Sequence, residues 1–342
     1  MLSALQKKVR LFRTWTSRHP LWCGWQVTYR CNFRCRICHY WHDRLGHVCE
    51  PTVADYTRGA RKLASYGTLM VSLAGGEPML RTDLPEIIQA VAEYHFPFLT
   101  TNGWFVTEET AREIMQAGIW GVSVSIDYAD PAKHDRARGI DGAWRQAWRA
   151  VELLRAARVH KFQRVNVIAV LMADNIGDIE QLIKLAAQRE AYFMVQPYGH
   201  LKTGSYAHCH SDGAVSPKLV ELRSRYPNFL SNPRYLQLFD AFLAGGVPNC
   251  RAGRAFFNID STGDIAICVE SKDHPVANLY RDSAPVIHKR LQAASKGNTC
   301  MDCWYNCRGE VECLYSPISL LKSLPTYLLD RGKAPAQDHS GK

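Results

Sequence analysis

Short hydrophobic runs alternate with amphipathic segments from residue 22 to about residue 198. Runs rich in β-branched and aromatic residues, which are typical of strands, occupy residues 22–28, 69–75, 96–102, 120–127, 164–172 and 191–197. Between them, hydrophobic residues recur at helical spacing in residues 52–66, 83–95, 107–117, 142–157 and 175–189. Strands that alternate with helices predict βαβ units and a parallel sheet. Because six such units are too few for a closed eight-stranded barrel, we predict an α/β fold with an open, TIM-like partial (β/α)6 barrel.

The pattern changes after residue 200. Residues 201–249 predict a loop and then helices, residues 255–268 predict a β-hairpin around the turn Ser261-Thr262-Gly263-Asp264, and residues 284–296 predict a helix. We therefore divide the chain into five parts. They are an N-terminal basic amphipathic segment (1–21), the barrel (22–200), a helical connection (201–249), a small cysteine-rich domain (250–315) and a C-terminal helix and tail (316–342).

Composition narrows the class of protein. The chain has 342 residues, of which 46% are hydrophobic and 22% charged, as in ordinary globular proteins. The formal net charge is +10, but Lys and Arg are spread along the chain, so we predict no nucleic-acid partner. No apolar run is long enough to cross a membrane and no secretory signal is present, so we expect a cytoplasmic protein.

An apolar stripe near the N-terminus has two interpretations. Its members recur at helical spacing with basic residues around them: Leu2, Leu5, Val9, Phe12 and Thr16. Such a stripe usually packs on the body of the protein, which is the interpretation we favour. A cationic helix at a membrane surface is the alternative, so peripheral membrane contact stays open.

Twelve cysteines fall mainly into two groups. The first has the spacing C-x3-C-x2-C, with Cys31, Cys35 and Cys38 directly after the first predicted strand. Three thiolates at this spacing can hold one face of an iron–sulfur cube and leave the fourth iron open to a ligand. Three alternatives remain from the spacing alone: covalent haem c attachment at C-x-x-C-H, zinc with a nearby histidine, and a catalytic dithiol.

Polar and glycine-rich turns follow the next predicted strands. They are Gly75-Gly76-Glu77-Pro78, Thr100-Thr101-Asn102-Gly103 and Ser123-Val124-Ser125-Ile126-Asp127, and a later stretch contains His134-Asp135, Arg138-Gly139 and Gly142. Because the carboxyl ends of parallel strands meet at one edge of the sheet, these turns are predicted to surround the cysteine triad.

Together, the triad and these turns resemble the radical S-adenosylmethionine (SAM) superfamily. The resemblance implies a [4Fe-4S] cluster on Cys31, Cys35 and Cys38 that reductively cleaves SAM, with a reductant such as flavodoxin or ferredoxin. It also implies that the 75–78 turn receives the methionine ammonium, that Arg138 pairs with the carboxylate and that Ile37 packs near adenine. The predicted cofactor-binding residues are Ile37, His39, Gly75, Gly76, Glu77, Pro78, Asn102, Ser125, Asp127 and Arg138.

The second cysteine group resembles the SPASM and twitch extensions of this superfamily. That resemblance implies one auxiliary [4Fe-4S] cluster on Cys250, Cys268, Cys300 and Cys303, with Cys307 as a substitute ligand. We expect Cys313 to be a buried thiol. A structural zinc site is the alternative. Four ligands or an open iron are both compatible with the sequence.

The resemblance implies a 5′-deoxyadenosyl radical that takes hydrogen from an unactivated carbon. Our main hypothesis for the substrate is a small molecule or a lipid-like compound. Only 21 residues precede the first predicted strand, fewer than the family's leader-binding domains contain, which disfavours a peptide. A ribosomal-peptide maturase and a non-catalytic iron–sulfur or zinc protein are the alternatives. No residue is singled out as the catalytic acid or base.

Overall fold

The computed structural model describes residues 2–209 and 214–315. The helix and tail predicted for residues 316–342 therefore lie outside the described residues. The first part contains α1 (Ala4–Thr16), β1 (Trp22–Thr28), α2 (Val53–Leu63), β2 (Met70–Gly75), α3 (Leu84–Ala92), β3 (Phe96–Thr101), α4 (Glu108–Gln116), β4 (Gly121–Ser125), α5 (Pro131–Arg138), α6 (Ala143–Ala156), β5 (Arg164–Leu171), α7 (Ile179–Gln188) and β6 (Tyr192–Pro197). The second contains α8 (Ser216–Arg225), α9 (Pro233–Gln237), α10 (Phe239–Gly245), β7 (Phe256–Ile259), β8 (Asp264–Ala266), β9 (Ala277–Asn278), α11 (Ala284–Lys296) and α12 (Asn306–Leu314).

The predicted partial barrel is confirmed. The sheet has the order β6-β5-β4-β3-β2-β1-β7-β8-β9, and the pairs from β1 to β6 are all parallel. Alternate residues of these strands point to the two faces of the sheet. Outward-facing residues such as Cys23, Trp25 and Val27 pack in the main hydrophobic core under the helices. Inward-facing residues such as Trp22, Gly24 and Gln26 line a central cavity.

The predicted hairpin joins the barrel's sheet. Strand β7 pairs in parallel with β1, with Trp22 opposite Phe256 and Trp25 opposite Ile259. Strands β8 and β9 continue the sheet in antiparallel order. All four residues of β7 are buried, so both faces of this strand are covered. Its position next to β1, at the edge of the barrel, provides this cover. The hairpin thus places Cys250 and Cys268 beside the barrel.

Two helices were not predicted, α5 and α12. Helix α5 has the sequence PAKHDRAR, which carries no apolar stripe, so hydrophobic periodicity does not reveal it. Its ends are nevertheless marked, because Pro131 occupies the first turn and Gly139 follows with φ +72°.

Helix α1 forms as predicted, but our favoured interpretation of its stripe is wrong. Leu5, Val9 and Phe12 are largely exposed, whereas Lys7 and Thr14 are buried. The Lys7 ammonium donates to the Ala92 carbonyl. The Thr14 hydroxyl lies 2.8 Å from the Arg10 carbonyl of its own helix and 3.2 Å from the Thr68 carbonyl before β2, and it can donate to either. Satisfied hydrogen bonds therefore hold the polar side of the helix against the barrel. Among the described residues, no helix combines the length and apolarity that membrane crossing requires.

Candidate functional site

One cavity of about 560 Å³ occupies the barrel interior and reaches the carboxyl ends of the strands. Most of the residues predicted to bind SAM and the first cluster line this cavity together: Cys31, Cys35, Ile37, Cys38, Gly75, Gly76, Glu77, Asn102, Ser125 and Arg138. Cys307 of the second group lines the same cavity. His39 is exposed and is not part of this wall; its ring lies 4.6 Å from that of His42, tilted by 45°. Pro78 and Asp127 are buried and do not line the cavity.

The three thiols of the first group are unpaired and lie in one loop after β1. Burial raises the pKa of Cys31 to about 12; the Phe33 amide opposes the shift, and Glu77 and the other two thiols add to it. Burial also raises the pKa of Cys35, whereas the Arg138 guanidinium opposes that shift. Each thiolate makes the ionisation of its neighbouring thiols less favourable. All three can therefore ionise together only beside a positive charge, which iron would supply.

Glycines in the 75–78 turn allow it to dock on the cysteine loop. Gly75 has φ +138°, and a Cβ there would lie 1.9 Å from the Thr28 carbonyl oxygen. A Cβ on Gly76 would lie 2.1 Å from the Arg30 carbonyl oxygen. The Gly76 amide donates to Thr28 O (2.9 Å) and the Glu77 amide to Arg30 O (2.8 Å). Any side chain at these two positions would therefore push the turn away from the cysteine loop.

Glu77 ties two turns together. Its carboxylate accepts hydrogen bonds from the Met79 amide (3.0 Å), the Thr101 hydroxyl (2.7 Å) and the Asn102 amide (2.7 Å). Burial raises its pKa to about 6, although these hydrogen bonds and Arg138 oppose the shift. Glu77 is therefore a preorganised negative group at the rim of the cavity, oriented by the ends of β2 and β3.

Asn102 connects the end of β3 to the cysteine loop. Its Nδ2 donates to Asn32 Oδ1 at 2.8 Å, and its Oδ1 accepts from the Trp104 amide at 2.9 Å. The cysteine loop is thus held by the turns after both β2 and β3, as the order of motifs along the chain predicts.

Arg138 is buried at the cavity wall and pairs with a protein carboxylate. Its Nη2 lies 2.7 Å from Asp127 Oδ2, and its Nη1 lies 4.0 Å from Cys35 Sγ. The other Asp127 oxygen accepts from the Val170 amide at 2.9 Å. This ion pair places a cation beside the triad, where it stabilises thiolate charge. It also means that any carboxylate bound to Arg138 shares it with Asp127.

The stretch around Asp135 builds the connection between α5 and α6. Asp135 accepts hydrogen bonds from the amides of Gly142 (2.7 Å) and Trp144 (2.8 Å), at the start of α6. A Cβ on Gly139 would lie 2.8 Å from the Arg34 carbonyl oxygen. The Arg36 amide donates to the Ala137 carbonyl at 3.1 Å. These residues press the end of α5 against the cysteine loop, which positions Arg138.

Five cysteines of the second group form a set of mutually interacting thiols. Burial raises the pKa of Cys303 to about 12; Arg308 opposes the shift, and Cys250 and Cys268 add to it. Burial raises the pKa of Cys307, and Cys303 and Cys268 add to that shift. Burial likewise raises the pKa of Cys300, with a smaller addition from Cys268. Cys313 is buried in the main core, apart from this set, as expected for a structural thiol.

Arg308 holds the second group from inside. Its side chain is fully buried, and it donates to the carbonyls of Cys303 (2.7 Å), Val247 and Pro248 (3.1 Å). Its Nε lies 3.4 Å from the Glu312 carboxylate. One cation thus joins the chain before Cys250, the Cys303 segment and α12.

Lys202, in the loop after β6, links the two cysteine groups. Its ammonium lies 2.7 Å from the Glu270 carboxylate and 3.3 Å from the Tyr40 hydroxyl. It also lies over the rings of Tyr40 and Tyr305, at 4.9 and 5.3 Å from their centroids. Each partner follows a cysteine by two residues: Tyr40 follows Cys38, Glu270 follows Cys268 and Tyr305 follows Cys303.

The donor sets fit iron–sulfur clusters. Each group supplies several unpaired thiols, the ligand type that such clusters require, and a buried arginine beside them. Within residues 2–209 and 214–315, no three Cys, His, Asp or Glu side chains converge as the ligands of a single metal ion do. The first triad instead spreads along the wall of one cavity.

Sequence reasoning missed several cavity residues. Lys202 was passed over because it lies in a polar loop, although its place after a barrel strand was a usable signal. Gln26, Asn166 and Asn258 also line the cavity. Their inward direction follows from strand register, which the sequence alone does not provide.

This chain is similar to two kinds of curated protein, among others. The AdoMet-dependent heme synthase of Oleidesulfovibrio alaskensis is 31% identical over 186 residues, covering 52% of this chain and 46% of that protein. The alignment with the heme synthase of Nitratidesulfovibrio vulgaris likewise spans about half of each protein. The mycofactocin maturase MftC of Mycobacterium tuberculosis is 25% identical over 313 residues, covering 85% of this chain and 78% of that protein.

Solved structures share the fold. Streptococcus suis SuiB bound to precursor peptide SuiA superimposes with a TM-score of 0.63 at 18% identity, covering 83% of this chain and 69% of that one. Native anSMEcpe with bound AdoMet and Kp18Cys peptide gives 0.64 at 16% identity, covering 81% and 83%. Residues 25–186, which carry the cysteine triad and the turns around it, match the family model of the Radical SAM superfamily. Residues 25–186 of this chain therefore form a radical SAM domain.

Proposed function

We propose that this radical SAM enzyme modifies a peptide and holds one auxiliary [4Fe-4S] cluster beside its reaction cavity. The observation that carries the proposal is the shared cavity, which is lined by the first cysteine triad and by Cys307 of the second group. A substrate in this cavity would lie between both cluster sites. That arrangement suits a reaction in which the substrate gives up a hydrogen atom and then an electron.

A peptide replaces the small molecule or lipid that we favoured from the sequence. The heme synthase similarity covers only about half of each protein, so it supports the family more than the substrate. The similarity to MftC covers 85% of this chain and so includes many residues outside the family model's 25–186. Two neighbours in fold, SuiB and anSMEcpe, are described in complex with peptides. MftC, whose similarity extends over most of the chain, is a maturase, and this favours the peptide alternative.

The first triad would hold the SAM-binding cluster, and the turns around it would hold SAM. When bound, the cluster and SAM supply one-electron cleavage of the sulfonium and a 5′-deoxyadenosyl radical that takes a hydrogen atom from the substrate. The Glu77 carboxylate, held by three donors, offers charge to the methionine ammonium. Arg138 stabilises thiolate charge at Cys35 and stays paired with Asp127. Ile37 offers an apolar surface to adenine.

Cys250, Cys268, Cys300 and Cys303 would hold the auxiliary cluster, with Cys307 nearest the substrate. Arg308 and Lys202 keep these thiols in place and supply positive charge beside them. Four thiolate ligands would saturate the cluster and leave it to accept an electron from the substrate. Coordination by three would leave one iron without a thiolate ligand, and Cys307 is the thiol of this group that lines the cavity.

The first experiment tests the radical SAM activity. The protein is reconstituted anaerobically with iron and sulfide, its iron and zinc contents are measured, and 5′-deoxyadenosine is quantified after reduction with SAM present. We expect about eight irons and 5′-deoxyadenosine formation. Zinc in place of iron, or iron without 5′-deoxyadenosine, would contradict the proposal and favour a non-catalytic metal protein.

The second experiment tests the substrate class. Short peptides encoded beside the gene are incubated with the reduced enzyme, and their masses are followed together with 5′-deoxyadenosine. We expect one peptide to change mass in proportion to the 5′-deoxyadenosine formed. A haem precursor serves as the matched control, because the heme synthases are the rival relatives. Turnover of that precursor and of no peptide would overturn the peptide assignment.

A further inference from the structure

The cavity continues below the SAM level, toward the amino ends of the strands, where the lining of its floor is mainly apolar but also includes Lys8 and Arg164. Strand register places Trp22 opposite both Met70 and Phe256, and Met70 opposite Phe96. All four line the cavity, and Trp120 lines it at the same end. A group that reached this depth would therefore meet rings and a thioether, which favour an apolar side chain.

A layer of uncharged polar side chains lies between this floor and the 75–78 turn. Its members line the cavity from five strands: Gln26, Ser72, Ser123, Asn166 and Asn258. Ser72 precedes Gly75 by three residues on β2, which corresponds to a depth of about 10 Å below the turn. Uncharged amides and hydroxyls at this depth bind neutral polar groups, whereas an unpaired charge buried there would be strongly disfavoured.

Asn258 presents an unused donor to this layer. Its side chain is only 2% exposed, and its Oδ1 accepts from Gln26 Nε2 at 2.8 Å. Its Nδ2 has no hydrogen-bond partner among the described residues. Buried amide groups are nearly always paired, so this donor requires a partner from outside the described chain.

Asn166 presents an unused acceptor from another wall. Its side chain is 5% exposed, and its Nδ2 donates to Ser123 Oγ at 3.3 Å. Its Oδ1 has no hydrogen-bond partner among the described residues. Asn166 lies on β5 and Asn258 on β7, with β4, β3, β2 and β1 between them in the sheet. The interior thus offers a donor on one side and an acceptor on the other.

Gly24 keeps space open beside the first of these groups. A Cβ at this position would lie 3.2 Å from Asn258 Oδ1 and 3.4 Å from Gln26 Nε2. Gly24 has an ordinary backbone conformation, so no left-handed turn requires glycine here. The missing side chain is better explained by the room it leaves in front of the amide pair.

We infer that this layer is a recognition subsite for an uncharged amide of the substrate, with an apolar side chain next to it resting on the aromatic floor. This inference rests on the proposed function, and it narrows the substrate to a peptide segment that enters the barrel. A backbone amide carries both a carbonyl for Asn258 Nδ2 and an N–H for Asn166 Oδ1. The hydrogen atom would be taken from a carbon near the carboxyl ends of the strands. This subsite would hold the part of the peptide that reaches deeper into the barrel than that carbon.

The test compares two probes that differ by one N–H. N-methyl-3-phenylpropanamide and methyl 3-phenylpropanoate, which carry no other amide, are titrated into the reconstituted, unreduced enzyme with SAM, by calorimetry. We expect wild-type protein to bind the amide about tenfold more tightly than the ester. Asn166→Leu should remove this preference, because it removes the acceptor. Gln292→Leu, which removes an exposed side-chain amide outside the cavity, should retain it.

A second variant keeps the inference testable if Asn166→Leu fails to fold. Asn258→Leu removes the donor to a carbonyl that both probes carry, so it should weaken both about tenfold and leave their ratio unchanged. Equal binding of the two probes by wild-type protein, a preference that survives Asn166→Leu, or no binding of either probe would overturn the subsite.

The same wild-type preparation is assayed for 5′-deoxyadenosine without peptide. If 5′-deoxyadenosine forms but the amide preference is missing, the subsite fails and the radical SAM function stands. If the amide preference is present but no 5′-deoxyadenosine forms, the proposed function fails and the binding site stands.

Discussion

The two cysteine groups are assembled in different ways. Cys31, Cys35 and Cys38 lie within eight residues of one loop after β1. The second group takes thiols from both sides of the β7–β8 hairpin, from the segment before α12 and from the first turn of that helix, spread over residues 250–307. Sequence proximity alone brings the first thiols together, whereas the second group depends on how distant segments pack.

What holds each group differs in the same way. Backbone contacts hold most of the first loop, such as the Gly76 amide on the Thr28 carbonyl and the Arg36 amide on the Ala137 carbonyl, and the Asn102–Asn32 side-chain pair adds to them. Side-chain cations hold the second group, chiefly Arg308 and the Lys202–Glu270 pair. Single side-chain substitutions should therefore damage the second group's assembly more than the first loop's, apart from the thiols themselves.

The largest expected effect is on SAM cleavage after Cys35→Ala. Removing one ligand of the three-thiolate site should lower 5′-deoxyadenosine formation by at least about a thousandfold, because no neighbouring thiolate can replace it. Cys49→Ala, at an exposed cysteine, is the matched control and should leave the rate unchanged.

Cys303→Ala completes this comparison. It should lower the iron content by about half and reduce peptide turnover, while 5′-deoxyadenosine formation falls less than about tenfold. If Cys303→Ala removes SAM cleavage as completely as Cys35→Ala, the two groups do not act as separate cluster sites.

The next largest effect is expected for Arg308→Leu. The substitution leaves the Cys303, Val247 and Pro248 carbonyls without this donor. It also removes the cation beside the Glu312 carboxylate, which still accepts from the Arg251 amide at 2.7 Å. Breaking a buried charged network of this kind costs about 3–5 kcal/mol of unfolding free energy. Anaerobic urea denaturation of the apo-protein measures it. Arg254→Leu, at an exposed arginine, should change stability by less than about 0.5 kcal/mol.

Iron retention shows whether Arg308 acts on the second group alone. We expect Arg308→Leu to lose the irons of that group first and to keep a cluster at the 31–38 loop. Equal loss from both sites would show that Arg308 stabilises the whole fold rather than this group.

Hydrophobic alternation predicted the six barrel strands to within about two residues, because each strand buries one face under helices. It missed α5, whose buried face consists of His134, Ala137 and Arg138 and is therefore largely polar. It also missed α12, which begins inside the second cysteine group. The pairing of β7 with β1 was not predicted, since nothing local specifies which distant strand covers a sheet edge.

The site was predictable where its chemistry is written in consecutive residues. The triad and the turns at 75–78 and 100–103 were located from sequence, and the structure brings them to one cavity. Asn166 and Asn258 were not, because an asparagine inside a strand looks the same whether it faces a cavity or solvent. The stripe on α1 was misjudged because Lys7 and Thr14 find buried carbonyl acceptors, which hydrophobic periodicity ignores.

A smaller effect is expected in the pH dependence of stability around Glu77. Its pKa rises from the usual 4.5 to about 6 on folding, chiefly through burial. The stabilisation is therefore fully present below pH 4.5 and is lost as the pH rises through 6, by about 2 kcal/mol. Anaerobic urea denaturation of the apo-protein between pH 4 and pH 7 measures this contribution. Glu77→Gln should abolish it.

Glu113→Gln, at an exposed position of α4, is the control for this titration and should retain the wild-type slope. If the unfolding free energy of Glu77→Gln depends on pH as that of the wild type does, another group takes up the proton. That result would also contradict the preorganised negative charge that we place at the SAM level.

The smallest effect sharpens the comparison between the two cysteine groups. Lys202 and Lys272 both pair with a carboxylate at 2.7 Å, Lys202 with Glu270 and Lys272 with Asp43. Only Lys202 lines the cavity, and its positive charge opposes the rise in the pKa of Cys307 that burial causes. Lys202→Met should therefore raise that pKa further.

Alkylation of Cys307 in the anaerobic apo-protein at pH 8, followed by peptide mass spectrometry, measures this change. We expect Lys202→Met to slow the labelling about threefold, because the thiolate is the reactive form. Lys272→Met removes an ion pair of the same length outside the cavity and should leave the rate unchanged. If both variants slow labelling equally, the effect comes from a looser interface between the 40–43 and 268–273 segments. Lys202 and Glu270 would then form an ordinary surface ion pair. Arg308 would be the cation that offsets the negative charge of the second group's thiolates.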